Sequence, residues 1–221
     1  MKKILCLMVF LLTLAACQKS SEPAETVHNP FTREQADAVL NTYYQNPQPK
    51  QLLEAFAYFD EQSELSKEDK VKLIGFASGL AHFRPEDWKA VENNGKWKGN
   101  IVRLIPAVPA KKEILEKVLT SPKSFPFHQV QEVQFFWGVF GASGNEQILR
   151  NIFMTIHYPK ADHALRHEAF SGVTARKDTH PLVEKLWEER EKDISAFELP
   201  RKAPSNKTPS VQKEVATPTA K

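Results

Sequence analysis

A chain of 221 residues with 30 basic and 27 acidic side chains is long enough for one ordinary hydrophobic core and sits close to charge balance. Setting aside Lys2, Lys3 and the cationic stretch 201–221 leaves 23 basic and 26 acidic residues, which speaks against the broad basic face that nucleic-acid binding needs. Only Cys6 and Cys17 are present, so packing rather than a disulfide framework has to hold the fold.

The first seventeen residues decide where the rest works. Lys2 and Lys3, an apolar run from Ile4 to Leu14, and small Ala15 and Ala16 make the three parts of a secretory signal peptide. The run is too short to cross a bilayer. Leu14-Ala15-Ala16-Cys17 resembles the lipobox of bacterial lipoproteins. That resemblance implies cleavage before Cys17, diacylation of its thiol and, usually, acylation of the new amine. Two or three chains, at ~0.8 kcal/mol per buried methylene, make a lasting anchor where one would be marginal. In that family an Asp after the cysteine commonly retains the protein in the inner membrane. Gln18 stands there instead, which implies the outer membrane, facing the periplasm, in a cell with two membranes. The alternative is an ordinary secretory signal that leaves Cys17 as a thiol.

Residues 17–30 are polar and without apolar periodicity, and are expected to act as a tether between lipid and domain. Thr32 and Gln35 form a capping-box pattern ahead of a helix over about 33–45, stopped by Pro47 and Pro49. Leu52, Leu53, Phe56, Ala57 and Phe59 predict a second amphipathic helix ending near Gln62. Ser66 and Asp69 suit an N-terminus, and Val71, Leu73, Ile74, Phe76, Ala77, Leu80 and Phe83 are too apolar for a surface helix, so this third one belongs inside. Pro85 suits the first turn of a fourth helix, with Glu86 and Asp87 at its positive end and Trp88 and Val91 buried.

After Asn93-Asn94-Gly95 comes Lys96-Trp97-Lys98-Gly99-Asn100, then Ile101–Ile105, cut by Pro106 and Pro109 to a short helix. A longer helix is expected near 110–119. Val130, Val133, Phe136, Trp137 and Phe140 give the most aromatic helical face, and Ile148, Leu149, Ile152, Phe153 and Ile156 the next stripe. Segments 161–172 and 181–197 supply two more helices. The reading is an all-α domain over 31–198, of eight or nine helices in stacked hairpins, α-solenoid-like or an irregular bundle. Residues 199–221, rich in Pro, Lys, Ser and Thr, read as a disordered tail.

Phe76–Gly79, turn, Trp88 and Phe136–Gly138, turn, Ile148 share one order at an offset near 59 residues, and Ala169, Gly172, Asp178 and Leu182 repeat it at a shorter interval. This resembles the helix-pair unit of HEAT-type α-solenoids, in which each pair stacks on its neighbour to bury an apolar face.

Motifs that carry chemistry are sparse. His157, His163 and His167 with Glu168 are metal-ligand types, but the order His163-Ala164-Leu165-Arg166-His167 lacks the inner Glu of the His-Glu-x-x-His pattern that helical zinc hydrolases carry, and no metal or cofactor is expected. Ser143 lacks the Gly-x-Ser-x-Gly context of a nucleophile elbow and reads as a turn residue or N-cap. Lys96-Trp97-Lys98 sets a ring between two cations in a Gly- and Asn-flanked loop, a composition that meets sugar rings or anionic headgroups, unless Trp97 packs back over the helix carrying Trp88.

The expected role is a non-catalytic interaction or scaffold module of the cell envelope. It is joined to the membrane by its N-terminal lipid and holds an envelope protein or wall component in a helix-built groove. A helical wall hydrolase would instead need a cleft at Glu132, Glu168 or His167. An apolar-ligand carrier would need a pocket at Phe135, Phe136, Trp137 and Phe140.

Overall fold

The computed structural model describes residues 31–195, with side chains through Glu189; the signal, Cys17, the tether and the tail lie outside the described residues. Ten α-helices follow one another: α1 Arg33–Thr42, α2 Pro49–Glu61, α3 Lys67–Phe83, α4 Pro85–Glu92, α5 Asn100–Leu104, α6 Lys112–Leu119, α7 Val130–Ser143, α8 Glu146–Ile156, α9 His163–Thr174 and α10 Pro181–Ser195. Two 3-10 turns, Ile105–Ala107 and Pro109–Lys111, join α5 to α6, and no strand occurs among the described residues. No helix among them is long and apolar enough to cross a membrane.

The count is one above the eight or nine expected. Pro106 and Pro109 begin 3-10 turns rather than simply ending a helix, because a first-turn proline gives up only an N–H with no partner in the helix. The same logic corrects two boundaries. Pro49 opens α2 at its first turn, and α1 closes at Thr42 instead of running to 45. Caps set the other ends: Ser66 accepts from Asp69 N–H, Asp162 from Leu165 N–H and Asn145 from Ile148 N–H. Asn145, not Ser143, is thus the N-cap of α8. Ser143 ends α7 and returns its hydroxyl to the Val139 carbonyl at 2.8 Å, while Gly144 turns the chain at φ +63°.

The core is built around α7, in which every residue from Val133 to Ala142 is buried. A helix apolar on all sides needs partners on all sides, and α1, α3, α8 and α9 supply them. Glycines set how near α3 comes. A Cβ on Gly75 would lie 2.0 Å from the Phe135 carbonyl oxygen, and one on Gly138 would lie 2.1 Å from that of Lys72, so these backbones touch without side chains between them. Gly75 opposite Phe135 and Gly79 opposite Val139 and Ala142 place rising numbers against rising numbers. The two helices therefore run in the same general direction.

The loop between α6 and α7 is fastened from inside. Asn151 Oδ1 accepts from Phe125 N–H at 3.0 Å and Thr155 Oγ1 from Phe127 N–H at 2.7 Å, both from α8. Phe127 then stacks on Phe136 with ring centroids 4.5 Å apart.

Candidate functional site

The Lys96-Trp97-Lys98 loop closes one side of an open groove of about 660 Å³ whose other wall is α2, with Leu53, Ala57 and Trp97 as apolar lining and Lys50, Glu54 and Glu61 beside them. Asp60, at the end of α2, holds the loop. Its Oδ2 accepts from Lys98 N–H at 2.8 Å, and its Oδ1 from Gly99 N–H at 3.0 Å and Ile101 N–H at 2.8 Å. Those N–H groups belong to the start of α5, which has no side-chain cap of its own. Asn100 reinforces the junction by donating to the Phe59 and Gln62 carbonyls at 3.1 and 2.7 Å. Trp97 turns inward, donates from Nε1 to the Val91 carbonyl at 2.6 Å and faces Phe56 at 6.4 Å. It is half-buried, while Lys96 and Lys98 are exposed on either side. The loop is thus a rim tied to α2 and α4, with two exposed cations flanking a half-buried indole that lines the groove.

The sequence reading named Lys96, Trp97 and Lys98 and did not include Asp60. The available signal was negative: Gly99-Asn100 starts a helix without an ordinary capping side chain, so the cap has to come from elsewhere in the chain.

A second depression, about 390 Å³, lies between α3, α6 and α7, with Val71, Ile74, Ile114, Phe135 and Phe136 as its apolar lining. Of the aromatic stripe only Phe135 and Phe136 reach it; Trp137 and Phe140 are core residues, 3% and 1% exposed. Glu132 stands at its edge, but its carboxylate accepts from His128 N–H at 2.7 Å and Gln129 N–H at 3.1 Å and so caps α7.

The third space is charged and partly open. About 140 Å³ lies between α1, α3, α7 and Arg176, lined by Arg33, Asp37, Asn41, Asp69 and Lys72 as well as Leu40, Phe59, Leu73, Phe76 and Trp137. Arg33 grips Asp69 with two nitrogens, at 2.6 and 3.1 Å, and Asp37 with Nε at 2.7 Å. Burial pushes the Asp69 carboxyl up, but hydrogen bonds from Arg33 and Ser66 outweigh it and hold the group below its ordinary range. Lys72 pairs with Glu68 on its own helix. Arg176 lies over the Trp137 ring at 4.5 Å and donates to Asn41 Oδ1 at 2.8 Å and the Gly172 carbonyl at 2.9 Å, both neutral. Burial lowers its pKa, and Asp37, Glu168 and Glu68 oppose that only through space.

His180 is sealed nearby, 2% exposed, with Tyr44 Oη 3.1 Å from its Nε2 and the Phe140 ring at 4.9 Å. Burial, with Arg176 adding to it, holds its pKa at about 4. The histidines singled out in the sequence are elsewhere. His163 and His167 stack at 5.9 Å on α9, and among the described residues no three His, Cys, Asp or Glu side chains come together in a way that could hold a metal ion.

Set against known proteins, the chain matches no family model, no curated protein and no solved structure.

Proposed function

We propose that this protein is a lipid-anchored component of a bacterial cell envelope that acts as a non-catalytic interaction module, facing the periplasm from the outer membrane. The signal-peptide and lipobox pattern through Cys17 supports the anchor. The observation that carries the binding role is the open groove at Trp97, whose rim is fixed by three backbone N–H bonds to Asp60 before any partner arrives. A wall already held in place loses little entropy on binding, which favours recognition of an extended segment of an envelope protein or wall polymer. Lys96 and Lys98 add cations at the rim, suited to an anionic partner. An enzymatic reading draws less support. Glu132 is committed to a helix cap, and the carboxyls with displaced titration, Asp69 and Glu146, are held as ions below the ordinary range rather than raised towards neutrality.

Two measurements test the proposal. Cys17→Ser should move the protein from the membrane fraction to the soluble one, with acyl chains seen by mass spectrometry on the wild-type N-terminal peptide; an unmodified Cys17 in native protein would refute the anchor. A photo-reactive residue at Lys98 should trap one dominant envelope partner in living cells, whereas the same residue at exposed Lys160 should not. Equal labelling from both positions would refute the groove as the binding face.

A further inference from the structure

Residues 93–112 hold five basic side chains and no carboxylate, the longest acid-free run between 31 and 195. The second half of this run forms α5, the two 3-10 turns and the start of α6. Leu104, Ile105, Val108 and Lys112 all keep right-handed helical angles, so the chain holds a helical path through both prolines. Ile101, Leu104, Val108, Leu115 and Val118 are buried along it, whereas Val102, Arg103, Pro106, Pro109, Lys112 and Ile114 are exposed. Because α5, the first turn and α6 all pack on α3, the sides they leave exposed face away from it together.

We infer that this outward side of α5 and α6 is a docking surface for a membrane bearing anionic lipid headgroups. Val102 and Ile114, 48% and 47% exposed, are two of the three large hydrophobic side chains exposed among the described residues. Apolar side chains set among cations on one helical side settle at the boundary between headgroups and acyl chains. The backbone suits that position. Pro106 and Pro109 bring no N–H, and the Val108 and Lys111 N–H groups are spent within the turns, on the Ile105 and Val108 carbonyls at 3.2 and 3.0 Å. The neighbouring carboxylates leave the surface cationic. Arg103, Lys111, Lys112 and Lys117 stand against Glu113 and Glu116, with Glu116 3.7 Å from Lys112. Asp60 is spent on backbone N–H groups, and Glu64 lies 4.0 Å from Lys70. Residues 93–117 carry six basic against two acidic side chains, and the rest of 31–195 carries sixteen against twenty-one. An anionic bilayer therefore attracts this side of the domain and repels the remainder, which orients it. The inference rests on the lipid anchor proposed above. Residues 18–30 span at most about 45 Å, so an anchor at Cys17 holds the surface at high effective concentration near the headgroups.

The test uses the acylated full-length protein. With Cys6 cleaved away and Cys17 acylated, Ala110→Cys supplies a single thiol on the exposed side for an environment-sensitive fluorophore. The protein is placed in vesicles of pure phosphatidylcholine, or of two parts phosphatidylcholine to one part phosphatidylglycerol, each carrying nitroxide-labelled lipid as quencher. In the phosphatidylglycerol vesicles the label should shift to the blue and be quenched, with a docked-to-free ratio at least about tenfold above that in phosphatidylcholine. The same label at exposed Lys160→Cys should be quenched in neither. Arg103→Glu with Lys112→Glu, both on the surface, should lower the ratio at least about tenfold while leaving the circular dichroism unchanged; Val102→Ser with Ile114→Ser, which keeps the charge, should lower it as well. The inference is overturned by an unquenched label at 110 in the anionic vesicles, by equal quenching at 160, or by an undiminished response in the charge-reversed protein. A label at 110 that responds to polyglutamate and not to vesicles would assign the surface to an acidic protein and overturn it too. Failure of the anchor is read separately, as an unacylated Cys17 in mass spectrometry, and the surface is then tested by titrating Cys17→Ser protein with the same vesicles.

Discussion

Gly75→Ala tests the contact on which the fold turns. In an unobstructed helix the change would be favourable by about 1 kcal/mol, since alanine has the higher helix propensity. Here the added Cβ would lie 2.0 Å from the Phe135 carbonyl oxygen and 2.8 Å from its carbon. Both are backbone atoms of α7, which cannot rotate away as a side chain could. Restoring an ordinary contact requires α3 and α7 to part by more than about 1 Å, and a gap of even that size forfeits about a quarter to a half of each dispersion contact across it. Leu73, Phe76 and Leu80 on α3 and Val133, Phe136 and Phe140 on α7 are all buried in this region. Overpacking of this kind costs about 3 kcal/mol, which after the propensity gain leaves a net loss of about 2 kcal/mol. At about 2–4 °C per kcal/mol for a domain of this size, the melting temperature should fall by roughly 4–8 °C. Urea and thermal unfolding followed by circular dichroism measure it. Gly95→Ala is the internal control, because nothing lies within 4 Å of its Cβ position, and it should be neutral or slightly stabilising. A Gly75→Ala protein within about 0.5 kcal/mol of wild type would show that the helices are not packed backbone to backbone.

Two further outcomes follow from the same geometry. Asp60→Ala should destabilise the protein by about 2–4 kcal/mol, because the Lys98, Gly99 and Ile101 N–H groups lose their acceptor together, and hydrogen exchange at those three amides should accelerate before that of α7; protection left unchanged there would refute the clamp. His180 is held neutral at a pKa of about 4 against an ordinary value near 6.5. Its contribution is therefore complete above pH 6.5 and is lost as pH falls from 6.5 to 4, where the unfolded chain takes up a proton that the native fold refuses. Unfolding free energy should drop by about 1–2 kcal/mol between pH 7 and pH 5, and His180→Phe should remove most of that slope, whereas an equal slope in the variant would place the effect elsewhere.

The sequence made α3 legible as an interior helix because it is apolar beyond one face, and that pattern needs no tertiary information; α7 was legible only as the most aromatic face, not as a helix buried on every side. The caps at Ser66 and Pro85 were equally local. The approach of α3 to α7 was not visible, because Gly75, Gly79 and Gly138 read as helix weakeners until another backbone is set against them. The groove was half legible. Trp97 between two lysines announced an exposed feature, but its indole N–H bond to the Val91 carbonyl and the clamp from Asp60, 38 to 41 residues away in the chain, belong to the fold alone. The charged cavity was hidden for the same reason. Arg33 and Asp69 are 36 residues apart, Asn41 and Arg176 are 135 apart, and each reads in isolation as a solvated side chain on a helix surface.

These hidden features have one cause. Glycines draw α3 against α7 until their backbones touch, and Gly141 admits α1 as closely, since a Cβ there would lie 1.9 Å from the Leu40 carbonyl oxygen, whereas Gly172 of α9 faces the Trp137 indole. Gly138 and Trp137 are neighbours in sequence and both line the charged cavity: one side of the helix carries a hydrogen atom and the next an indole. Long side chains from the surrounding helices line the space beside them. Arg33 enters from α1, Lys72 from α3 and Arg176 from just beyond α9. Long cationic side chains suit such a position because their stems pack on Leu40, Phe59 and Trp137 while their heads find partners at the open end. Two of the three find carboxylates in the chain. Arg176 finds an amide and a carbonyl, while Asp37, Glu168 and Glu68 support its charge through space, so the same packing that fixes the fold also sets which cations pair directly and which do not.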